Sequence, residues 1–521
     1  MSRESGVLLS ITSLPSRYGI GCFNKSAYEF VDWLAEAGQK YWQILPLGAT
    51  SHGAADSPYQ AYSAFAGNPY FISLDDLIEE GVLTREECDE AALGSDPQKV
   101  DYESLHENRL PLLRKAYERS RISENPEYQK FIRENAWWLE DYSMFMAVKN
   151  FFGGQAWNLW PQDIRMHWDN AISYYGEKLY FDIEFQKYMQ FQFDSQWKKL
   201  KAYAGSRNIE IVGDIPIYVS QDSADVWSHP ELFQLDESNN CTRVAGCPPD
   251  DFTPDGQLWG NPLYAWDYHK KTGYQWWISR LRYSFRLYDV VRIDHFRGFD
   301  AYYSIPAGSV NAKQGKWVKG PGAELFDTAK EKLGDLKVIA EDLGFMTKSV
   351  RQMVAHTGFP NMKVMEFAFD SNDEMGENDY LPHNIYSNCV VYTGTHDNMT
   401  VSGWFQSLKR REQKPVRDYL GDHRTPARLM YQRIVELAMS TVADTCIIPI
   451  QDWLGLDNGS RMNLPGTVGD NWKWRLLPGQ ADGALAQDIL TVTRRYGRAN
   501  RNNILVPERD LDEQFTPEET Y

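Results

Sequence analysis

Val290-Val291-Arg292-Ile293-Asp294-His295 is an apolar run that breaks off in charge. Its β-branched first half suits a strand buried on both faces. Its end cannot stay in an apolar core unpaired. A parallel strand whose C-terminal end opens on a polar rim satisfies both demands. The pattern recurs along the chain: 209–213 (IEIVG) runs into Asp214, 336–340 (LKVIA) into Glu341 and Asp342, and 388–392 (NCVVY) toward Thr395-His396-Asp397-Asn398. Four further runs belong to the same set, at 6–11 (GVLLSI), 41–47 (YWQILPL), 362–369 (MKVMEFAF) and 445–450 (TCIIPI). Helical patterns lie between the later runs, around 323–331 and 424–438. In the first helix, Ser26 and Glu29 have the spacing of a capping box, and Phe30, Trp33, Leu34 and Ala37 keep a 3.6-residue period. Eight alternating units predict an α/β fold, a (β/α)8 TIM barrel. An open doubly wound sheet is the alternative. The barrel is preferred because polar residues gather just past the strand ends.

One interval breaks the rhythm. Residues 1–67 read as the first part of the barrel, 68–201 as a large, mostly helical insertion after strand two, and 202–521 as the remainder. Smaller loop insertions are expected at about 220–274 and 452–477. Within the large insertion Trp138, Tyr142, Phe145 and Met146 fall at helical spacing and are expected to form its own core.

Composition narrows the function. With 42% hydrophobic residues over 521, the chain has ample apolar surface to fold. Its net charge of −18 repels phosphate backbones and anionic lipid, so no nucleic-acid and no membrane partner is expected. No stretch approaches the roughly 18 apolar residues of a membrane span. The six cysteines are scattered without a CxxC pair, the usage of a reducing, cytoplasmic compartment. Aromatics reach 14%, with 18 Trp and 30 Tyr, enough to build a core and still line a groove that stacks on sugar faces.

The predicted rim concentrates carboxylates: Asp214, Asp294, Glu341 and Asp397, with Arg292, His295 and His396 among them. Crowded carboxylates repel, so at least one should hold its proton near neutral pH and serve as an acid. Arg292, two residues before Asp294, should hold that one ionised. An ionised nucleophile beside a protonated acid is the pairing of retaining glycosidic chemistry. Dinucleotide, P-loop and serine-hydrolase signatures are absent. A metal site built from Asp214, Asp294, His295 and His396 is the competing use of the same residues, disfavoured by the fixed positive charge of Arg292.

An ordered set of motifs covers nearly the whole chain. It comprises SLPSRYGIG (13–21), SPYQ (57–60), GDIPIYVSQDSADVW (213–227), GCPPDDF through GQLWGNPLY (246–264), VRIDHFRGF (291–299), AEDLG (340–344), THDN (395–398), and RMNLPG through NWKWR (461–475). The set resembles the 4-α-glucanotransferases known as amylomaltases or disproportionating enzymes, in the α-amylase clan. The resemblance implies transfer of α-1,4-glucan segments between a glucan donor and a sugar acceptor, with no cofactor and no metal. By position it makes Asp294 the nucleophile, Glu341 the acid/base and Asp397 the third carboxylate, which grips the donor sugar. It puts Arg292 against the nucleophile and Asp214, His295 and His396 around the reacting sugar. Tyr59 and Asp370 match glucan contacts, Asp250 and Trp259 belong to a loop over the groove, and Asn463 faces the acceptor side. The family is expected as a monomer or small homo-oligomer. An α-1,4-glucan hydrolase is the alternative enzyme, and a non-catalytic glucan-binding barrel the alternative from another class.

Overall fold

The computed structural model describes residues 3–249, 253–344, 346–370, 373 and 375–503. In chain order its strands are Glu4–Leu8 (β1), Tyr41–Gln43 (β2), Glu210–Pro216 (β3), Arg243–Cys247 (β4), Gln257–Pro262 (β5), Val290–Asp294 (β6), Ala301–Pro306 (β7), Lys316–Lys319 (β8), Val338–Ala340 (β9), Asn361–Val364 (β10), Cys389–Tyr392 (β11) and Thr445–Pro449 (β12). Eight of them close a parallel barrel in the order β1-β12-β11-β10-β9-β6-β3-β2, with β2 returning to β1. Each of the eight apolar runs supplies one barrel strand. Leu8, Val212, Val290, Ile339, Met362, Val364, Val390, Tyr392 and Ile447 pack together as one apolar cluster of strand residues, the filled interior that a barrel of eight strands requires.

Several strands are shorter than the runs that predict them. The run at 41–47 pairs only through Gln43, and that at 362–369 only through Val364, after which Met365–Phe367 turns in a 3-10 helix. Apolar character persists past the last ladder bond because Ile44, Leu45, Leu47, Met365 and Ala368 stay buried. The expected capping box at Ser26 is also corrected. Helix Lys25–Glu36 starts two residues earlier, and the Asn24 side chain caps it by accepting from the Ser26 N–H at 3.2 Å.

A second sheet, of order β5-β4-β7-β8, was not foreseen. It is antiparallel and joins the excursion after β3 to the segment after β6. Its strands are short and of mixed polarity, and β8 is largely exposed, so none makes a continuous apolar run. This sheet overhangs the C-terminal end of β6, where the site lies.

The long interval after β2 is helical, with Leu74–Glu79, Arg85–Glu90, Tyr102–Arg119, Pro126–Phe151, Asp169–Lys178 and Tyr180–Ser206 as its main elements. Trp138, Tyr142 and Phe145 are buried there, and Met146 is half-buried. Helix Tyr180–Ser206 returns the chain to the barrel. Its Phe193 and Trp197 lie 5.3 and 5.2 Å from the ring of Phe23, and Gln190 bonds both backbone groups of Gly67. Those contacts hold the loop after β2, which carries Tyr59, against the barrel top. Among the described residues no helix is long and apolar enough to cross a membrane.

Candidate active site

The site begins with a register. Strands β3 and β6 pair so that Asp214 stands opposite Arg292. Both are sealed from solvent, at 0% and 3% exposure, so the charges must satisfy each other. Arg292 Nη1 donates to both Asp214 oxygens at 2.8 and 2.6 Å, and its Nη2 reaches upward to Asp294 Oδ1 at 3.0 Å. The Tyr59 hydroxyl donates to Asp214 Oδ2 at 2.7 Å from the loop after β2. A tyrosine, an aspartate and an arginine thus form the floor on which Asp294 rests. Asp294 keeps 29% of its side chain open, and Asp397 43%, so these two are reachable from outside while the pair below is not.

Glu341 stands beside Asp294. The β6–β9 register pairs Ile293 with Ala340, so the next residue of each strand is one of these two carboxylates. His295 takes a left-handed backbone (φ 54°) that ends β6 abruptly and turns its N–H onto Glu341 Oε2 at 2.7 Å. The Leu343 N–H meets Glu341 Oε1 at 2.7 Å. Burial pushes the Glu341 carboxyl up to about 7, reinforced by the negative charge of Asp294 and opposed by Arg292 and the two N–H bonds. Burial also raises Asp294, to about 6. Arg292 opposes this rise, and the charge of Asp214 adds to it. The guanidinium spends two of its hydrogen bonds on Asp214 and gives Asp294 one. Asp294 still titrates below Glu341, because Arg292 touches it directly. The proton shared by the pair therefore goes first to Glu341.

Asp397 follows β11 in the Thr395–Asn398 turn. Asn463, from the loop after β12, donates to its Oδ1 at 2.7 Å, and the His396 ring lies 3.3 Å from its Oδ2. Burial pulls Asp397 upward, yet the His396 charge and these bonds win and bring it down to about 2. His396 is raised in turn, its own burial outweighed by the Asp397 carboxylate. The ring of Tyr59 stacks on His396 at 5.1 Å, and Trp472 closes against both at 5.8 and 5.9 Å. Asp397 is thus held as an anion by its neighbours.

Trp259, in β5, meets the His295 ring edge-on at 4.8 Å, and Tyr218 lies behind both at 6.2 and 6.4 Å. Burial drives His295 down to about 3, so its ring is neutral and suited to hydrogen bonding. Asp370 stands exposed in the loop after β10. Asp250 lies outside the described residues. Tyr218 and Trp472 also pack around the site, although the sequence alone does not single them out. Their aromatic character was visible, whereas their orientation depends on the second sheet and the loop after β12. Among the described residues no three His, Cys, Asp or Glu side chains are grouped as a metal site requires. The guanidinium of Arg292 fills the space between Asp214 and Asp294 that such a site would need.

Comparison with known proteins fits this geometry. The 4-alpha-glucanotransferase family model matches residues 9–480. The 4-alpha-glucanotransferase of Clostridium butyricum is 47% identical over 492 residues, covering 94% of this chain and all of that one. Its counterpart in Streptococcus pneumoniae is 48% identical over 506 residues, covering 96% and 98%. Among solved structures, the amylomaltase from Streptococcus agalactiae in complex with acarbose superposes with a TM-score of 0.92 at 42% identity, covering 96% and 100%. With the carboxylate rim, the closed barrel and matches over nearly its full length, this chain belongs to the 4-alpha-glucanotransferase family.

Proposed function

We propose that the chain transfers α-1,4-glucan segments by a retaining double displacement, with Asp294 as nucleophile and Glu341 as acid/base. The observation that carries this reading is the β6–β9 register, which makes Asp294 and Glu341 neighbours at one strand end. Adjacent strands lie about 4.8 Å apart, close to the roughly 5 Å carboxylate spacing of retaining enzymes rather than the wider gap that admits a water. Glu341 protonates the glycosidic oxygen while Asp294 attacks the anomeric carbon and the leaving glucan departs. Glu341, now ionised, takes the proton of the incoming sugar hydroxyl as that oxygen displaces Asp294. Asp397 grips the donor sugar's hydroxyls, and Arg292 holds Asp294 in line. Tyr59, His295 and His396 surround the reacting sugar, with Asp214 buried beneath them. Trp259 covers the groove, Asp370 contacts the glucan and Asn463 faces the acceptor side.

The carboxylates do not choose between sugar and water. The aromatic overhang around Trp259 and Trp472 supports transfer, because it shields the intermediate. The reading calls for no metal or cofactor and sets the reaction in the cytoplasm. Incubation with maltotriose tests it: longer oligosaccharides should appear together with glucose. Shorter sugars alone would favour the hydrolase alternative. Asp294→Asn should lower turnover by several orders of magnitude, and near-normal activity would favour a barrel that uses other residues.

A further inference from the structure

Beneath the Thr395–Asn398 turn lies a second pair of carboxyls that the reaction above does not use. Glu366 stands in the turn Met365–Phe367 that follows β10, and Asp452 in the short helix Ile450–Trp453 that follows β12. Strands β10 and β12 flank β11, so both residues approach the segment leaving β11 from opposite sides. Asp452 is 1% exposed and well bonded: Thr393 Oγ1 donates to its Oδ2 at 2.5 Å and the Val401 N–H to its Oδ1 at 2.8 Å. The Glu366 N–H donates to the Thr393 carbonyl at 3.2 Å. Its side-chain Oε1 is closed off from solvent and has no hydrogen-bond partner among the described residues. That oxygen packs on Gly394. A Cβ at Gly394 would stand 3.1 Å from Glu366 Oε1 and 3.1 Å from Asn398 Cβ.

A carboxyl so placed is a poor anion. Burial raises Glu366 well above its ordinary range, and the Asp452 charge adds to this, against Arg461 and the Asn398 amide. The turn above it is bonded internally and from one side. Thr395 donates its N–H and hydroxyl to Asn398 Oδ1, both at 2.9 Å, and the Asp397 N–H meets Thr395 Oγ1 at 3.2 Å. From the outer side Arg461 donates to the Asp397 carbonyl and, at 2.7 Å, to that of Asn463, while the Asn463 N–H reaches the His396 carbonyl at 3.0 Å. The inner side of the turn rests on Glu366.

We propose that Glu366 is a positioning residue for glucan transfer: its buried side chain forms the floor under Gly394 and Asn398 and so sets where Asp397 and His396 stand. The inference rests on the assignment of Asp397 to the donor sugar. A neutral side chain of the same shape should serve equally well, whereas a smaller one should let the turn settle.

Steady-state disproportionation of maltotriose by Glu366→Gln, Glu366→Ala, Asp397→Asn and the Glu366→Ala/Asp397→Asn double variant tests this, with folding checked by thermal unfolding. Glu366→Gln should stay within about threefold of the parent, since an isosteric neutral replacement is nearly silent. Glu366→Ala should lose roughly 10- to 100-fold, mostly in kcat, as an ångström-scale misplacement does. In the Asp397→Asn background the same change should cost little more, because both act through one group. Normal kcat in folded Glu366→Ala, an inactive but folded Glu366→Gln, or an undiminished loss in the double variant would each overturn the proposal. If Glu366→Ala does not fold, Gly394→Ala decides: lowered kcat supports the proposal and normal kcat overturns it. Normal turnover in Asp397→Asn would instead remove the assignment of Asp397, and this inference with it.

Discussion

Arg292 serves two carboxylates with one guanidinium, and the division it makes sets the acid–base chemistry of the site. Asp214 takes two hydrogen bonds and is buried for good, while Asp294 takes one and remains open to a substrate. Glu341 receives none from the arginine and keeps its proton longest. The sign of the pH dependence follows. Asp294 must lose its proton to attack, so kcat/KM should rise as pH climbs through about 6. Glu341 must keep its proton to act as acid, so kcat/KM should fall as pH passes about 7. A bell-shaped profile of the free enzyme is expected. Glu341→Gln should remove the alkaline limb and lower the rate by roughly 10² to 10⁴. A rate that keeps rising above pH 8 would contradict the assignment. At this scale the sequence was largely legible, since each carboxylate follows an apolar run. The upward shift of Asp294 was not, because it depends first on how deeply the fold buries it, and then on Arg292 being shared with Asp214 across a strand pair 78 residues apart.

Barrel strands announce themselves because both faces are buried and most of their residues are apolar. The second sheet does not, because β8 (Lys316–Lys319) and most of β5 face solvent and carry mixed residues. Strand ends were overrun for a related reason. Glu366 sits inside an apolar run that looked like continuous strand, so the turn that makes it part of the rim was hidden. The first helix shows the same limit, since asparagine and serine both cap well and only the backbone path decides between Asn24 and Ser26. Element packing also fixes single residues. Gly213 precedes Asp214 in β3, and a Cβ there would stand 2.1 Å from the Tyr288 ring. Gly213→Ala should cost roughly 1–3 kcal/mol by overpacking and, by moving Asp214, should depress kcat as well. Urea unfolding together with kinetics checks both effects. Unchanged stability would mean that Tyr288 can move aside.

Over the whole molecule, insertions turn a common barrel into a covered groove. The helical interval after β2 anchors the loop that carries Tyr59, the second sheet brings Trp259 over His295, and the loop after β12 brings Trp472 and Asn463 to Asp397. These parts come from distant stretches of sequence, so the motifs could be read in order while their convergence could not. Removing the overhang should admit water. Trp259→Ala should raise the share of hydrolysis relative to transfer, read as glucose released without matching longer products from maltotriose. An unchanged ratio would place water exclusion elsewhere. The central claim is the covalent step at Asp294, and it can be observed directly. Glu341→Gln incubated with an activated maltosyl donor and quenched should carry a mass increase of one maltosyl group on the peptide containing Asp294. Label on another residue, or an unlabelled enzyme that turns the donor over with inverted configuration, would contradict it.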